Sequence, residues 1–240
     1  MKEFNLGRGV ALTILFAALA WTSAVPALEV NIADLVPYVE VMHEGKKVRV
    51  MRIQDTEHRL TGSFTKTSRP CPPFCYHPME AAPGVVTVGE VEVVNFMTDQ
   101  VNRGTGILID ARTPDWFKGG TIPGSVNVPF TILSGDDVKA PELQAAMTTF
   151  GARQKAPGEM QPGLLERLFG GASTDSSPWD FSQAKKLLLF CNGPWCDQSP
   201  RAIKGLIKLG YPPEKLFYYR GGMQNWQIGG FTTVVPESGT

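Results

Sequence analysis

Two stretches near the start of the chain alternate between apolar and polar positions: Tyr38-Val39-Glu40-Val41-Met42 and Lys47-Val48-Arg49-Val50-Met51. Alternation of period two predicts half-buried strands, and His43-Glu44-Gly45-Lys46 between them reads as the turn of a hairpin. Farther along, the apolar runs become continuous. Gly106-Ile107-Leu108-Ile109-Asp110, Leu187-Leu188-Leu189-Phe190 and Leu216-Phe217-Tyr218-Tyr219 predict strands covered on both faces, the first ending in a carboxylate. Ala202, Ile203, Leu206 and Ile207 recur at helical spacing opposite Lys204 and Lys208, which predicts an amphipathic helix from Pro200 to Leu209. Gly210 and Pro212-Pro213 stop it. Thr87-Val88-Gly89-Glu90 resembles a capping box ahead of Val91, Val94, Met97 and Val101 at helical spacing, although the Val-Glu-Val alternation there also suits a strand. Strands alternating with helices argue for an α/β domain with a parallel sheet.

Between these elements the chain is punctuated. Ser68-Arg69-Pro70-Cys71-Pro72-Pro73-Phe74-Cys75 is too rich in proline for regular helix or central strand, and Ala81-Ala82-Pro83-Gly84 reads as a linker. Residues 151–180 are rich in Gly, Pro and Ser around one short helical run, Leu164 to Phe169, and read as a surface insertion. The expected division is a segment 1–27, a β-rich extension 28–83, and an α/β domain 84–240.

Composition narrows the function. Of 240 residues, 42% are hydrophobic and 19% charged, normal for a globular protein. The formal net charge is zero and no run of lysine or arginine exceeds two, so neither nucleic acid nor an anionic membrane is an expected partner. Residues 1–27 have the layout of an export signal: Lys2 and Arg8, an apolar run from Val10 to Trp21, then Val25-Pro26-Ala27 with small residues for cleavage after Ala27. The apolar run is shorter than the ~20 residues a membrane-spanning helix needs. The expectation is a periplasmic or otherwise exported protein, with an uncleaved signal anchor as the alternative, and no other membrane-crossing segment. Disulfides persist in such a compartment. Four cysteines allow three pairings, and proximity favours Cys71 with Cys75 and Cys191 with Cys196.

Cys191 follows the second apolar run directly and precedes the amphipathic helix, so it belongs at the carboxyl edge of the sheet, where open α/β folds place their sites. A helix start near Ser199-Pro200 directs unpaired N–H groups and a positive dipole end at the loop, which favours a thiolate. A buried structural cysteine fits the same position. The other pair, Cys71-x3-Cys75-Tyr76-His77, offers soft ligands for copper or zinc, but a disulfide in a proline-stiffened turn is the simpler expectation. Tyr76 stands where covalent haem attachment requires histidine. No metal or cofactor is expected.

The run Asp110-Ala111-Arg112-Thr113-Pro114-Asp115-Trp116-Phe117-Lys118-Gly119-Gly120-Thr121-Ile122-Pro123-Gly124-Ser125-Val126-Asn127-Val128-Pro129 resembles the first signature of rhodanese-like domains, with Thr121 where histidine is usual. A strand ending in cysteine, a loop, a helix and Arg220-Gly221-Gly222-Met223-Gln224-Asn225-Trp226 resemble the second half, so the likeness covers roughly residues 85–235. It implies an α/β fold, a rhodanese-like parallel five-stranded sheet flanked by helices, here behind a small β-rich N-terminal extension. It also implies sulfur transfer. Cys191 would be the nucleophile that becomes a persulfide and passes sulfane sulfur to a thiol or other nucleophilic acceptor. Asn192, Gly193, Pro194, Trp195, Cys196 and Asp197 would form the loop whose N–H groups cradle it. Asp110, Arg112 and Trp226 match scaffold positions.

Departures from the pattern sharpen the expectation. Pro194 removes an N–H, no lysine or arginine stands between Cys191 and Pro200, and Asp197 adds negative charge, so dianionic thiosulfate is a poor donor. Arg201 and Arg220 are the candidate anion contacts. Rhodanese-fold phosphatases need arginine at position 197, which rules that chemistry out. Cys196 is the candidate resolving thiol. The expected partner is a small sulfur-containing substrate or a protein thiol. The alternatives are a periplasmic thiol/disulfide oxidoreductase using Cys191 and Cys196, or a binding module that keeps only the fold.

Overall fold

In the computed structural model the described residues are 29–135, 140–156 and 177–237. The export signal and the Leu164–Phe169 helix expected from the sequence lie outside them.

The alternating stretches form an antiparallel hairpin, β1 (Tyr38–His43) and β2 (Lys46–Met51). Its turn residues Glu44 and Gly45 both have positive φ, 48° and 75°, the conformation that matches the twist of the strands in a two-residue turn. Val41 and Val50 bury one face. Strand β3 (Val86–Val88) leads into α1 (Glu90–Phe96), which continues as one π-helical turn, Met97–Val101. The capping box sits two residues later than the Thr87–Glu90 reading. Gly89 is the N-cap and its N–H donates to the Glu92 carboxylate at 3.0 Å, because Thr87 is held in β3 opposite Tyr218. Val91 is accordingly exposed, while Val93, Val94 and Met97 are buried.

Then follow β4 (Gly106–Asp110), α2 (Pro114–Lys118), β5 (Ser125–Asn127), α3 (Phe130–Leu133) and α4 (Pro141–Thr149). A short antiparallel pair comes next, β6 (Arg153–Gln154) with β7 (Trp179–Asp180). The chain closes with β8 (Lys186–Phe190), α5 (Gln198–Lys208), β9 (Leu216–Tyr219) and α6 (Gly222–Ile228). Five strands form one parallel sheet in the order β3-β9-β8-β4-β5. Its central strand β8 is buried on both faces, which explains its unbroken apolar run. Leu187 and Leu189 face a core with Ala202, Ile203 and Leu206 of α5, and Leu188 and Phe190 face one with Val93, Met97 and Trp226.

The hairpin packs on the domain rather than hanging free. Val41 fills the space beside Gly124, whose φ is 79° and where a Cβ would stand 2.5 Å from a Val41 methyl. His43, with no partner visible in the sequence, is buried and its Nδ1 accepts the Gly124 N–H at 3.2 Å. Among the described residues no helix is long and apolar enough to cross a membrane.

Candidate active site

Cys191 leaves the carboxyl end of β8, and its carbonyl accepts the Met223 N–H at 3.0 Å. The Asn192 carbonyl accepts the Gln224 N–H at 2.9 Å, so the first turn of α6 clamps the base of the loop. This close approach explains the Gly221-Gly222 pair. At Gly222 φ is 54°, and a Cβ would lie 2.3 Å from the Cys191 carbonyl oxygen and 2.8 Å from the Gly193 nitrogen.

The loop 192–197 curls over the sulfur. The Cys196 N–H closes a turn to the Gly193 carbonyl at 3.0 Å, and α5 begins immediately after Asp197, with its N-terminal end beside Cys191. Ser199, in the first turn of α5 and wholly buried, donates its hydroxyl to Cys191 Sγ at 3.0 Å. Sequence reading had only the helix start; it passed over Ser199. As a thiol, Cys191 donates to the Cys196 carbonyl at 3.3 Å. Burial alone pushes the Cys191 thiol up. Hydrogen bonds from Cys196, from the Ser199 hydroxyl and from the N–H groups of Ser199 and Gly193 outweigh it, and the net direction is down. Cys196 goes the opposite way, raised by its hydrogen bond to Cys191, by burial and by the neighbouring charge. Of the two sulfurs, Cys191 is the more readily ionised. Both are free thiols, so the two loop cysteines are not joined here in the disulfide that proximity suggested.

The signature residues form the platform under the loop. Arg112 and Asp110 are 1% and 0% exposed, with Arg112 Nε 2.8 Å and Nη2 2.6 Å from the two carboxylate oxygens. Arg112 also donates to the Gly120 carbonyl at 2.7 Å and to Asn192 Oδ1 at 3.4 Å, linking the platform to the loop. Thr121, in place of the usual histidine, donates to Asp110 Oδ2 at 2.7 Å and contacts the Ser125 hydroxyl at 2.8 Å. A buried ion pair with its remaining valences filled fixes geometry. Trp226 is wholly buried, donates to the Thr232 carbonyl at 2.8 Å and stacks on Phe231.

The N-terminal extension roofs this loop. Cys71 and Cys75 form a disulfide, Cα atoms 4.6 Å apart, closing a small turn around Phe74. Phe74 meets Trp195 edge-to-face at 5.7 Å between centroids, and the Arg69 guanidinium lies 3.9 Å over the Trp195 ring. The His77 N–H donates to the Pro194 carbonyl at 2.9 Å, so the residue that lacks an N–H serves as an acceptor. Trp195 is further held by its 2.6 Å bond to Gln224, whose amide also donates to the Phe64 carbonyl. Under this cover Cys191 is 1% exposed, so the sulfur at the sheet edge is enclosed, the burial that the sequence had left open as an alternative.

The candidate anion contacts point elsewhere. Arg201 pairs with Asp197 at 3.7 Å and lies over the Phe130 ring, while Arg220 donates to the His77 carbonyl at 2.8 and 3.0 Å. Neither lines the cavity of about 190 Å³ between roof and loop, which reaches Cys196 but not Cys191. Among the described residues no group of three His, Cys, Asp or Glu side chains is arranged to hold a metal ion.

A family model for the rhodanese-like domain matches residues 94–228. No curated protein matches the chain. Among solved structures, a human single-domain sulfurtransferase is 19% identical, covering 59% of this chain and 95% of its own, with a TM-score of 0.33. A thiosulfate sulfurtransferase from Pseudomonas aeruginosa is 16% identical over 66% of this chain and 22% of its own, TM-score 0.36. A protein of unknown function from Rhodopseudomonas palustris, described as a possible tyrosine phosphatase, is 17% identical over 64% of this chain and 88% of its own, TM-score 0.39.

Proposed function

Since the chain belongs to the rhodanese-like domain family, we propose that it is a sulfurtransferase that carries a persulfide on Cys191. The observation that carries the reading is the Ser199 hydroxyl 3.0 Å from Cys191 Sγ, one of the hydrogen bonds that hold this thiol below its ordinary pKa despite burial. A thiolate is the attacking form. It attacks the terminal sulfur of a donor, the donor's S–S bond breaks, and its electron pair leaves with the departing anion. The loop N–H groups and Ser199 then stabilise the terminal persulfide sulfur. An acceptor thiolate attacks that outer sulfur, takes it up as its own persulfide and returns Cys191 as thiolate. With Cys191 enclosed, both half-reactions require Trp195 and the segment above it to move aside. Acceptors are a small thiol or a protein thiol.

Cys196 gives a second route. Its thiolate attacks the inner sulfur of the persulfide, expels hydrosulfide and leaves a Cys191–Cys196 disulfide, which an external dithiol then reduces. The raised pKa of Cys196 makes this the slower branch. Residues 1–27 act as an export signal, removed after Ala27 or kept as an anchor, and the protein works in the periplasm or an equivalent oxidising space, where the Cys71–Cys75 disulfide is maintained.

Intact mass of the mature protein after incubation with several sulfane donors tests this. A gain of one sulfur atom, absent in Cys191→Ser and discharged by an added thiol, is the expected result. Cys196→Ser should still turn over sulfur. No adduct with any donor sinks the enzyme reading and leaves a binding module, and loss of turnover in Cys196→Ser moves the function to thiol/disulfide exchange.

A further inference from the structure

The loop carries no cation of its own, and the structure provides one from outside the matched family region. The cavity over the loop is bounded by Arg69 and Phe74 of the extension, Trp116 of α2, and Trp195, Cys196 and Asp197 of the loop. Among its described lining residues Arg69 is the only cation and Asp197 the only anion. Arg69 Nη2 donates to the Ser63 carbonyl at 3.0 Å, while its Nε, shielded from solvent, has no hydrogen-bond partner. The guanidinium is thus held by one carbonyl and the face of Trp195, and it lines the cavity, where an anionic ligand would meet its charge. The remaining walls are the rings of Phe74, Trp116 and Trp195 with Pro73, and the polar residues Asn192, Cys196 and Gln198.

Resting on the sulfur-transfer reading, we propose that this roofed cavity is the donor pocket and that Arg69 makes it selective for monoanionic organic sulfane-sulfur compounds with an apolar body. One guanidinium answers one negative charge. With no second cation among the described lining residues, the second charge of an inorganic dianion would be desolvated without compensation. Trp116, Trp195 and Phe74 instead gain from burying apolar surface. At about 190 Å³ the cavity is smaller than the ~300 Å³ from which drug-sized ligands begin, so the ligand is small. Cys196 lines the cavity and Cys191 lies beneath it, so the ligand waits one step from the reacting sulfur.

Binding to the full mature protein tests this without turnover. Benzenesulfonate, an unreactive monoanion with an apolar body, is titrated against sulfate, with calorimetry and the fluorescence of Trp116 and Trp195 as readouts. Wild type should prefer benzenesulfonate by at least about tenfold, Arg69→Met should lose about tenfold or more of that affinity, and Arg69→Lys should fall between. Unchanged benzenesulfonate affinity in Arg69→Met, or equal affinity for sulfate in wild type, overturns the assignment. Should Arg69→Met not fold, Trp116→Ala, which keeps Arg69 and loses one wall ring and its contact with Phe64, must weaken benzenesulfonate without weakening sulfate.

A second arm uses benzenethiosulfonate. The Cys191 thiolate attacks its terminal sulfur, the bond to the sulfonyl sulfur breaks, and benzenesulfinate departs with the electron pair, leaving the persulfide. Arg69→Met should raise KM at least about tenfold with kcat little changed, whereas equal KM counts against the pocket. If Cys191 takes sulfur from no donor, the sulfur-transfer reading falls by itself and the binding constants alone judge the pocket.

Discussion

At Cys191 burial and hydrogen bonding oppose each other, and the bonds win. The sign of the resulting pH dependence follows. The thiolate is present above the folded-state pKa, which lies below the ordinary thiol value of 9.0, and is lost as pH falls through it. Removing one donor to the anion therefore moves the midpoint up. A hydrogen bond to a charged group contributes about 1.5–3 kcal/mol and about 1.4 kcal/mol is one pH unit, so Ser199→Ala should raise the midpoint by about one pH unit or more. Alkylation of Cys191 followed by mass across pH 5 to 10 reads it; an unmoved midpoint would show that the Ser199 hydroxyl does not hold the anion. The sequence carried Cys191 and its place at a strand end, but not this partner. Ser199 is an unremarkable residue until the first turn of α5 brings it back over β8.

Among the elements, those visible in the sequence were the ones whose periodicity repeats long enough to register. Lys186–Phe190 and Gln198–Lys208 stand almost where the apolar run and the helical stripe put them. Ser125–Asn127 has three residues and no apolar pattern, and is a strand only because β4 offers it an edge. Helix α6 was legible as a family motif and not as a periodic segment, because its start is set by the loop it clamps. That coupling makes Gly222 the position where an element meets the site. Gly222→Ala places a methyl against the Cys191 carbonyl, and at φ 54° the backbone is also strained for alanine. The expected cost is on the order of 1–3 kcal/mol, a fall of several degrees in Tm, with slower persulfide formation because the loop is pushed out of place. A variant as stable and as active as wild type would mean that α6 does not set the loop.

For the whole molecule, the relation between the extension and the domain is what the sequence hid. Arg69 and Phe74 sit far from residue 195 along the chain, and no pattern of period two or 3.6 links them. Phe74→Ala removes an edge-to-face ring contact of about 0.5–1.5 kcal/mol beyond its buried area and should raise the rate of Cys191 alkylation severalfold. Reduction of Cys71–Cys75 should act in the same direction in wild type, and an unchanged alkylation rate in both would mean that the roof does not control access. The same architecture dictates an order of assembly. The Val41–Val50 face of the hairpin and the Phe64–His77 roof leave the ribosome before the groups they dock on, Gly124 midway along the chain and Pro194, Arg220, Gln224 and Thr232 near its end. Until those groups are made the cover of the hairpin's apolar side is incomplete, so a segment made early settles late, and a chain stopped short of α6 would leave it partly bare to whatever chaperone or protease is near.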